Sequence, residues 1–483
     1  MIQTSKGKDL IIESIERMKE VNNYERKLEV EKRLNIYKDN FKDYVEAAIN
    51  QQFSDKTREG LKNLIDDSVN VTKRIINEIS TVYSKEPKRY ATLDSGYDTN
   101  YNAAITSIMD FNLIMQNVNQ YTNLLNNCIV GVSFVNNRLK LSIYTPNNVD
   151  VIQRTDDPTQ AEAIIITDTF TDTTYDTQII YKYWDIHGNY KVYDADYNVI
   201  PIPNNEQGIN PYVNPANPNE TILPFVIFSK DYMIDSIFDT TAGNDVISAT
   251  IQIGVLLTYL NYLVKWQSFK QLAILNADFS KISKDIILDP AYPIGLKGEN
   301  ASIQVLNENA DIKQVWDIIY EKIGIVANNY GMSLSNFKLQ QTAQSGFALE
   351  IQKEGLIEAR QKQLPIYRSK ENELFDVMRV VWNYHTQDKQ HININSIFNI
   401  DFQDITIKQD PLEVRQQWKF DIMMGAKNVL DYIMTINPDI KNYEQAEQVL
   451  KQNVEINSRI SATYDVSIDN IIAQFLKEKP LVK

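Results

Sequence analysis

Helical periodicity dominates the middle of the chain. Ile247, Ile251, Leu256, Leu260, Leu263, Val264 and Leu272 recur at intervals of three, four or multiples of these, which predicts a helix over 241–276. Turn residues and β-branched runs replace that pattern over 278–311. It returns over 313–330, where Val315, Ile318, Ile319, Ile323 and Val326 share one side. A polar stretch, 331–345, leads to a third helical pattern from Gly346 to His385, with Ser345 placed to cap its first turn. At 1.5 Å per residue that helix is about 60 Å long, which suits a large assembly better than a compact globule. Pro365 in its middle removes a backbone donor and predicts a kink.

The flanks read differently. Residues 1–40 are charged and helical, with Glu13, Glu16, Arg17, Lys19 and Glu20 forming close opposite-sign pairs. The helical pattern continues from Phe41 to Tyr83, where Val69, Ile75, Ile76, Ile79, Val82 and Tyr83 make a stripe that ends before Pro87. A further helix is predicted over 101–127. Alternation on both sides of Asn136-Asn137, and again on both sides of His187-Gly188-Asn189, predicts two hairpins. Strands at 164–167 and 222–228 complete a mixed β region over 128–230. Beyond His385 the reading is strand over 392–407, then helices over 411–425, 427–435 and 442–459, with at most a short helix over 461–483. The fold class predicted is α+β, mainly helical, with one mixed β domain.

The order helix, small β insertion, helix, polar loop, then Ser345-Gly346-Phe347-Ala348-Leu349-Glu350 opening a long helix resembles the portal proteins of tailed bacteriophages. Further points of resemblance are the helical segment 70–87 ending at an aromatic residue and Pro, the strand Ile222–Phe228, and Gly425-Ala426-Lys427-Asn428 followed by Pro438-Asp439. The resemblance covers residues 40–460. It implies a wing over 1–240, a stem helix over 241–277, a small α/β clip over 278–311 and a second stem helix over 312–330. A tunnel loop over 331–345, a kinked wing helix and strands over 346–410, and a helical crown with a tail over 411–483 complete the expectation. In that family the clip meets the packaging motor and later the tail adaptor. Here the implied partner-binding residues are Lys281, Lys284, Asp285, Lys297 and Glu299. The tunnel loop faces the DNA channel, which assigns Ser335, Asn336, Lys338, Gln340, Gln341 and Ser345 to it. Lys338 is its one charge; a ring of single lysines attracts phosphates without locking onto them.

Composition bounds the function. The chain has 483 residues, enough for two to four domains, and a net charge of −14. That sign argues against a protein that clamps DNA by neutralising phosphates and leaves room for one that lets DNA slide past. Residues 141–240 are the most acidic, with fifteen Asp or Glu against four Lys or Arg. Cys128 has no intrachain partner and sits beside Ile129 and Val130, which predicts a buried structural thiol. The first residues, with Asp9, Glu13 and Glu16, do not read as a signal peptide. The apolar run 251–269 is broken by Gln252, Asn261, Lys265 and Gln267, so no membrane span is expected.

Candidate chemistry is sparse. Gly295-Leu296-Lys297-Gly298 lacks the spacing of a phosphate-cradling loop. His187 falls in a turn, and His385 and His391 lack a clear third ligand, so no zinc site is expected. Asp194-Ala195-Asp196-Tyr197-Asn198 begins like a calcium loop, but Val199 and Asn205 stand where Gly and Glu are needed, so a polar turn is expected. Neither a cofactor nor a catalytic group is assigned.

The resulting expectation is a non-enzymatic virion protein. It forms a ring, a dodecamer by family precedent, at one capsid vertex and is assembled in the bacterial host cytoplasm. Double-stranded DNA would pass through it during packaging and ejection. Its partners would be the terminase large subunit, a head–tail adaptor, and the major capsid and scaffold proteins, with no membrane. On this reading the two stem helices bury a face only when neighbouring copies pack beside them. The alternatives are another virion structural protein, an adaptor or scaffold, and a soluble α/β hydrolase.

Overall fold

The computed structural model describes residues 12, 21–94, 96–171, 177–203, 205–232, 234, 236–239, 241–268, 271–275, 302–306, 312–332, 346–403, 411–437, 440 and 442–464. The fold is α+β. The chain divides into two units, Met1–Gln341 with Gln352–Ile405, and Thr342–Ile351 with Thr406–Lys483.

The first unit opens with α1 (Val21–Tyr37), α2 (Lys42–Gln52), α3 (Asp55–Leu61) and α4 (Val71–Ile79). The stripe expected on α4 is real: Val71, Ile75, Ile76 and Ile79 are buried, and the Asn70 side chain caps the helix by accepting from the Lys73 N–H at 2.9 Å. Strands β1 (Lys88–Leu93) and β2 (Gly96–Tyr97) precede α5 (Thr99–Ser107) and α6 (Phe111–Leu125). The single helix expected over 101–127 is therefore two. The chain breaks at 108–110, where Asp110 takes a left-handed φ of 56°, and the Asp98 carboxylate caps α5 by accepting from the Asn100 and Tyr101 N–H groups.

Next come β3 (Asn127–Val135) and β4 (Arg138–Tyr144), the expected hairpin. Asn136 and Asn137 both take positive φ, 52° and 61°, the two-residue turn whose twist matches its strands. Strands β5 (Val149–Gln153), β6 (Ala161–Thr171), β7 (Thr177–Asp185), β8 (Tyr190–Tyr193) and β9 (Val199–Ile200) form an antiparallel meander in that order. Gly188, φ 94°, turns β7 into β8 as expected. Strand β10 (Phe225–Ser229) pairs with β3, giving a second sheet ordered β10-β3-β4.

The central elements are α7 (Asn244–Ser268), β11 (Gln271–Leu275), β12 (Ser302–Leu306), α8 (Ile312–Asn329), α9 (Gly346–His385) and β13 (Ile397–Asp401). The helix expected to reach 276 ends at Ser268. Leu272, assigned to it by spacing, lies on a strand opposite Val305. The long helix holds its expected bounds and runs through Pro365 without interruption. Pro365 and Gln361 are both exposed residues, and the Gln361 carbonyl loses its intrahelical donor.

The main core lies where β10-β3-β4 meets α5, α6 and α9, with Met115, Val130, Val226, Leu374 and Val381 fully buried. Cys128 belongs to this core, and burial pushes its thiol up to about 12, in keeping with the structural role expected of it. Glu371 of α9 is buried there too. It accepts from Arg89 Nε at 2.8 Å, from a second Arg89 nitrogen at 2.6 Å and from the Tyr83 hydroxyl at 2.8 Å. Burial opposes the Arg89 charge, but Glu371 more than offsets it and holds the guanidinium pKa above its ordinary value. Arg89 lies on β1, which pairs with both β13 and β2, so this ion pair ties α9 to the small sheet.

The second unit contains α10 (Pro411–Met423), α11 (Val429–Ile436) and α12 (Tyr443–Tyr464), close to the three expected spans. Asn428 and Asp431 make a reciprocal capping box at α11. Trp418 of α10 meets Tyr432 edge-on with ring centroids 5.3 Å apart, and the Tyr443 hydroxyl donates to Asp431 at 2.6 Å.

Candidate functional site

The pair α7–α8 is the feature on which the functional expectation turns. It is antiparallel and tied at both ends. At one end the Asp245 carboxylate, in the first turn of α7, accepts from Asn329 Nδ2 at 3.1 Å and from the Tyr330 hydroxyl at 2.8 Å. Burial and that hydrogen bond push the Tyr330 phenol above its ordinary range. At the other end β11 and β12 pair antiparallel from Gln271↔Leu306 to Leu275↔Ser302.

Helix α7 is apolar on most sides because it is packed on most sides. Val246, Ala249, Ile253 and Leu257 join a core with α4, α6 and α8, while Ile247 and Val255 face α2. This corrects the expectation that the paired helices bury a face only against neighbouring copies. Between 246 and 258 every residue but Ser248 is buried or half-buried within the chain itself. The exposed apolar groups are fewer: Val264 on α7, and Trp316, Ile318 and Ile325 on α8. Ile318, read from sequence as part of the α8 core stripe, points outward and is 48% exposed.

A polar track lies within α7. Thr250 Oγ1 accepts from the Thr72 N–H and Thr258 Oγ1 from the Asp66 N–H, each at 2.9 Å. Between them Gly254 leaves room that a side chain would fill. A Cβ there would meet Val45 at 2.7 Å and the Asp66 carbonyl oxygen at 3.0 Å. The residues leading into α4 thus lie directly on the helix. The spacing Thr-x-x-x-Gly-x-x-x-Thr, a line of small groups along one helix face, was the available signal for this contact.

Arg33 locks α7 to the N-terminal helices. Its side chain is 2% exposed and donates to the carbonyls of Leu124 at 3.2 Å and Ala242 at 2.9 Å, and to Glu29 Oε1 at 3.3 Å. Arg33→Met roughly keeps the volume but removes the charged donor from the Leu124 carbonyl and from Glu29, while the Ala242 carbonyl keeps its bond from Asn126. It is expected to cost about 2–3 kcal/mol in urea unfolding followed by circular dichroism, and an unchanged midpoint would remove Arg33 from this role.

The start of the polar loop is also fixed. Gly331, φ 69°, lies against Gly355 of α9. A Cβ on Gly331 would stand 2.7 Å from the Gly355 carbonyl oxygen, and one on Gly355 would stand 2.5 Å from the Gly331 oxygen. Met332 is buried in the α4–α7–α8 core. Residues 331 and 332 therefore belong to the body rather than to the loop assigned to 331–345.

The loop residues Ser335, Asn336, Lys338, Gln340, Gln341 and Ser345 lie outside the described residues, as do Lys281, Lys284, Asp285, Lys297 and Glu299 of the insertion. What the structure places is the frame from which both segments depart: Ser268 to β11 and β12 to Ile312 for one, Met332 and the Gly331–Gly355 crossing for the other.

Other groups singled out from sequence resolve into local structure. His187 Nε2 faces Glu162 at 3.1 Å on an exposed turn. His385 stacks on Phe134, centroids 4.8 Å apart, and lies 3.1 Å from the Tyr212 hydroxyl; burial lowers its pKa. Asp194 spends its carboxylate on Asp196 and Asn198 in its own turn, as a polar turn would. A groove of about 590 Å³ beside α9 holds Glu220, Glu373 and Asp376, and each faces a base, Arg154, Lys370 and Arg379 respectively.

No protein-family model and no curated relative matches the sequence. Among solved structures, the chain is similar to one in the virion of a native gene transfer agent particle, at TM-score 0.39 and 9% identity over 76% of this chain and 88% of that one. It is similar at the same values to one in the neck of an empty gene transfer agent particle. A TM-score of 0.39 is too low to establish a shared fold.

Proposed function

We propose that this chain is a portal protein, a non-enzymatic ring of identical copies at one capsid vertex through which double-stranded DNA is packaged and released. The observation that carries the reading is the ordered central unit. An antiparallel helix pair closed at one end by a strand ladder is followed by a loop pinned at its base and then by a helix of 40 residues. This is the order of stem, clip, tunnel loop and wing helix in the portal proteins that the sequence resembles. Burial of α7 against its own chain removes one argument for the ring. The outward Trp316, Ile318 and Ile325 of α8 supply a smaller one, since exposed apolar side chains on one helix favour a neighbouring subunit.

In this reading the insertion meets the terminase and later an adaptor, and Lys338 presents one cation per copy to the passing DNA. Electron microscopy of the purified full chain tests it. Rings with a central hole are the expected particles, and compact particles of single-chain size overturn the proposal. Lys338→Ala is expected to lower the yield of retained DNA several-fold in a packaging assay without altering the rings. Unchanged retention would deny that residue a channel role.

A further inference from the structure

The sheet β10-β3-β4 has an open edge. Strand β10 pairs with β3 on one side, and among the described residues no strand pairs with it on the other. The register shows which backbone groups face outward. The Val132 N–H donates to the Pro224 carbonyl and the Lys230 N–H to the Asn126 carbonyl, each at 2.8 Å. Bonded and unbonded positions alternate in an antiparallel pair, so Val226 and Phe228 bond to β3 while Phe225 and Ile227 turn their N–H and C=O groups away from it. Among the described residues nothing bonds to those four groups.

This edge lies in the groove of about 590 Å³ beside α9. Phe225 and Ile227 line it together with Ile164, Leu223, Val377 and Val380. Two donors and two acceptors at strand spacing, set among apolar side chains, are met by the backbone of an extended polypeptide. The acids of the groove each face a base already, so an uncharged segment is the one that fits.

Residues 1–5 meet both conditions. Met1-Ile2-Gln3-Thr4-Ser5 has no charged side chain, and Ile2 and Thr4 are β-branched residues on one face of a strand. They lead into a helix that packs on the same cluster. Arg26 of α1 donates to the Val149 carbonyl at 3.2 Å and lies 4.3 Å from the centre of the Phe238 ring, and Val149 and Phe238 pack with Phe225, Ile227 and Ile164. Twenty residues separate Ser5 from Arg26, about 30 Å even if wholly helical, the width of a small domain. Other uncharged runs outside the described residues depart elsewhere: 333–337 and 339–345 follow Met332, which is buried in a different core, and 470–476 belongs to the second unit.

We propose that residues 1–5 of the same chain lie against β10 as a fourth strand of this sheet. The proposal does not depend on the ring reading.

Residue-resolved hydrogen exchange on the full chain and on a chain lacking residues 2–5 tests it. Without the segment the Phe225 and Ile227 amides are expected to exchange at least about tenfold faster, while the Val226 and Phe228 amides keep their rates because their bonds to β3 remain. A peptide of residues 1–8 added to the shortened chain is expected to restore the slow exchange. Equal rates at Phe225 and Ile227 in the two chains overturn the proposal: slow in both means another occupant, fast in both an empty edge. A second measurement does not require the shortened chain to fold. Thr4→Cys with Ala216→Cys, an exposed residue of the groove, is expected to give a bis-maleimide link within one chain, Cys128 being buried. Absence of that link, or a link only between chains, overturns the proposal.

Discussion

Glu371→Leu is expected to destabilise the first unit by about 3–5 kcal/mol, the largest single-residue effect on stability in the molecule. The reason is what would remain. The Arg89 guanidinium would lose both of its bonds to the carboxylate while staying packed over the Phe111 ring, 4.4 Å from its centroid, and the Tyr83 hydroxyl would lose its acceptor. A buried charge without its counter-charge costs more than the pair contributes when intact. The double variant Arg89→Met, Glu371→Leu should therefore recover much of the loss. Urea unfolding followed by circular dichroism measures both. A double variant no more stable than the single one would show that the carboxylate matters for its packing and not for its charge.

The second large effect is expected at the glycine crossing. Gly355→Ala brings a methyl to 2.5 Å from a backbone oxygen that has no rotamer to yield. Forcing the two backbones apart costs about 1–3 kcal/mol. Gly331→Ala meets the same wall from the other side and adds a left-handed φ, worth about 1–2 kcal/mol more. The two changes should not add, since a gap opened for one methyl accommodates the other. Hydrogen exchange at the last turn of α8 reports the opening. Amides there that exchange at wild-type rates in Gly355→Ala would show that the crossing is looser than the distances imply.

How far the sequence foretold this molecule depends on what each signal measures. The bounds of α8 and α9 and the two hairpins were legible because periodicity and turn chemistry are local. The end of α7 was not. Leu272 fits helical spacing, and only its pairing with a strand 33 residues away makes it extended. Strand β1 was missed because a strand with one buried residue, Ala91, shows no alternation. In α8 spacing placed the apolar Ile318 on the stripe with Val315 and Ile319, whereas direction depends on the partner helices. The candidate site divided in the same way. Its frame, Arg33, Asp245, Thr250, Thr258 and the two glycines, is made of contacts between residues far apart in the chain, and only the Thr250–Gly254–Thr258 spacing left a trace in the sequence. The loop and insertion residues rest on resemblance alone and lie outside the described residues.

A rod of forty residues transmits thrust only if it does not buckle, and where it yields is set by its weakest link. Along most of α9, flexing stretches amide-to-carbonyl bonds that have no substitute. At Pro365 the bond to the Gln361 carbonyl is already missing, so yielding there breaks nothing. The proline gives the longest element among the described residues a built-in point of compliance, at an exposed position.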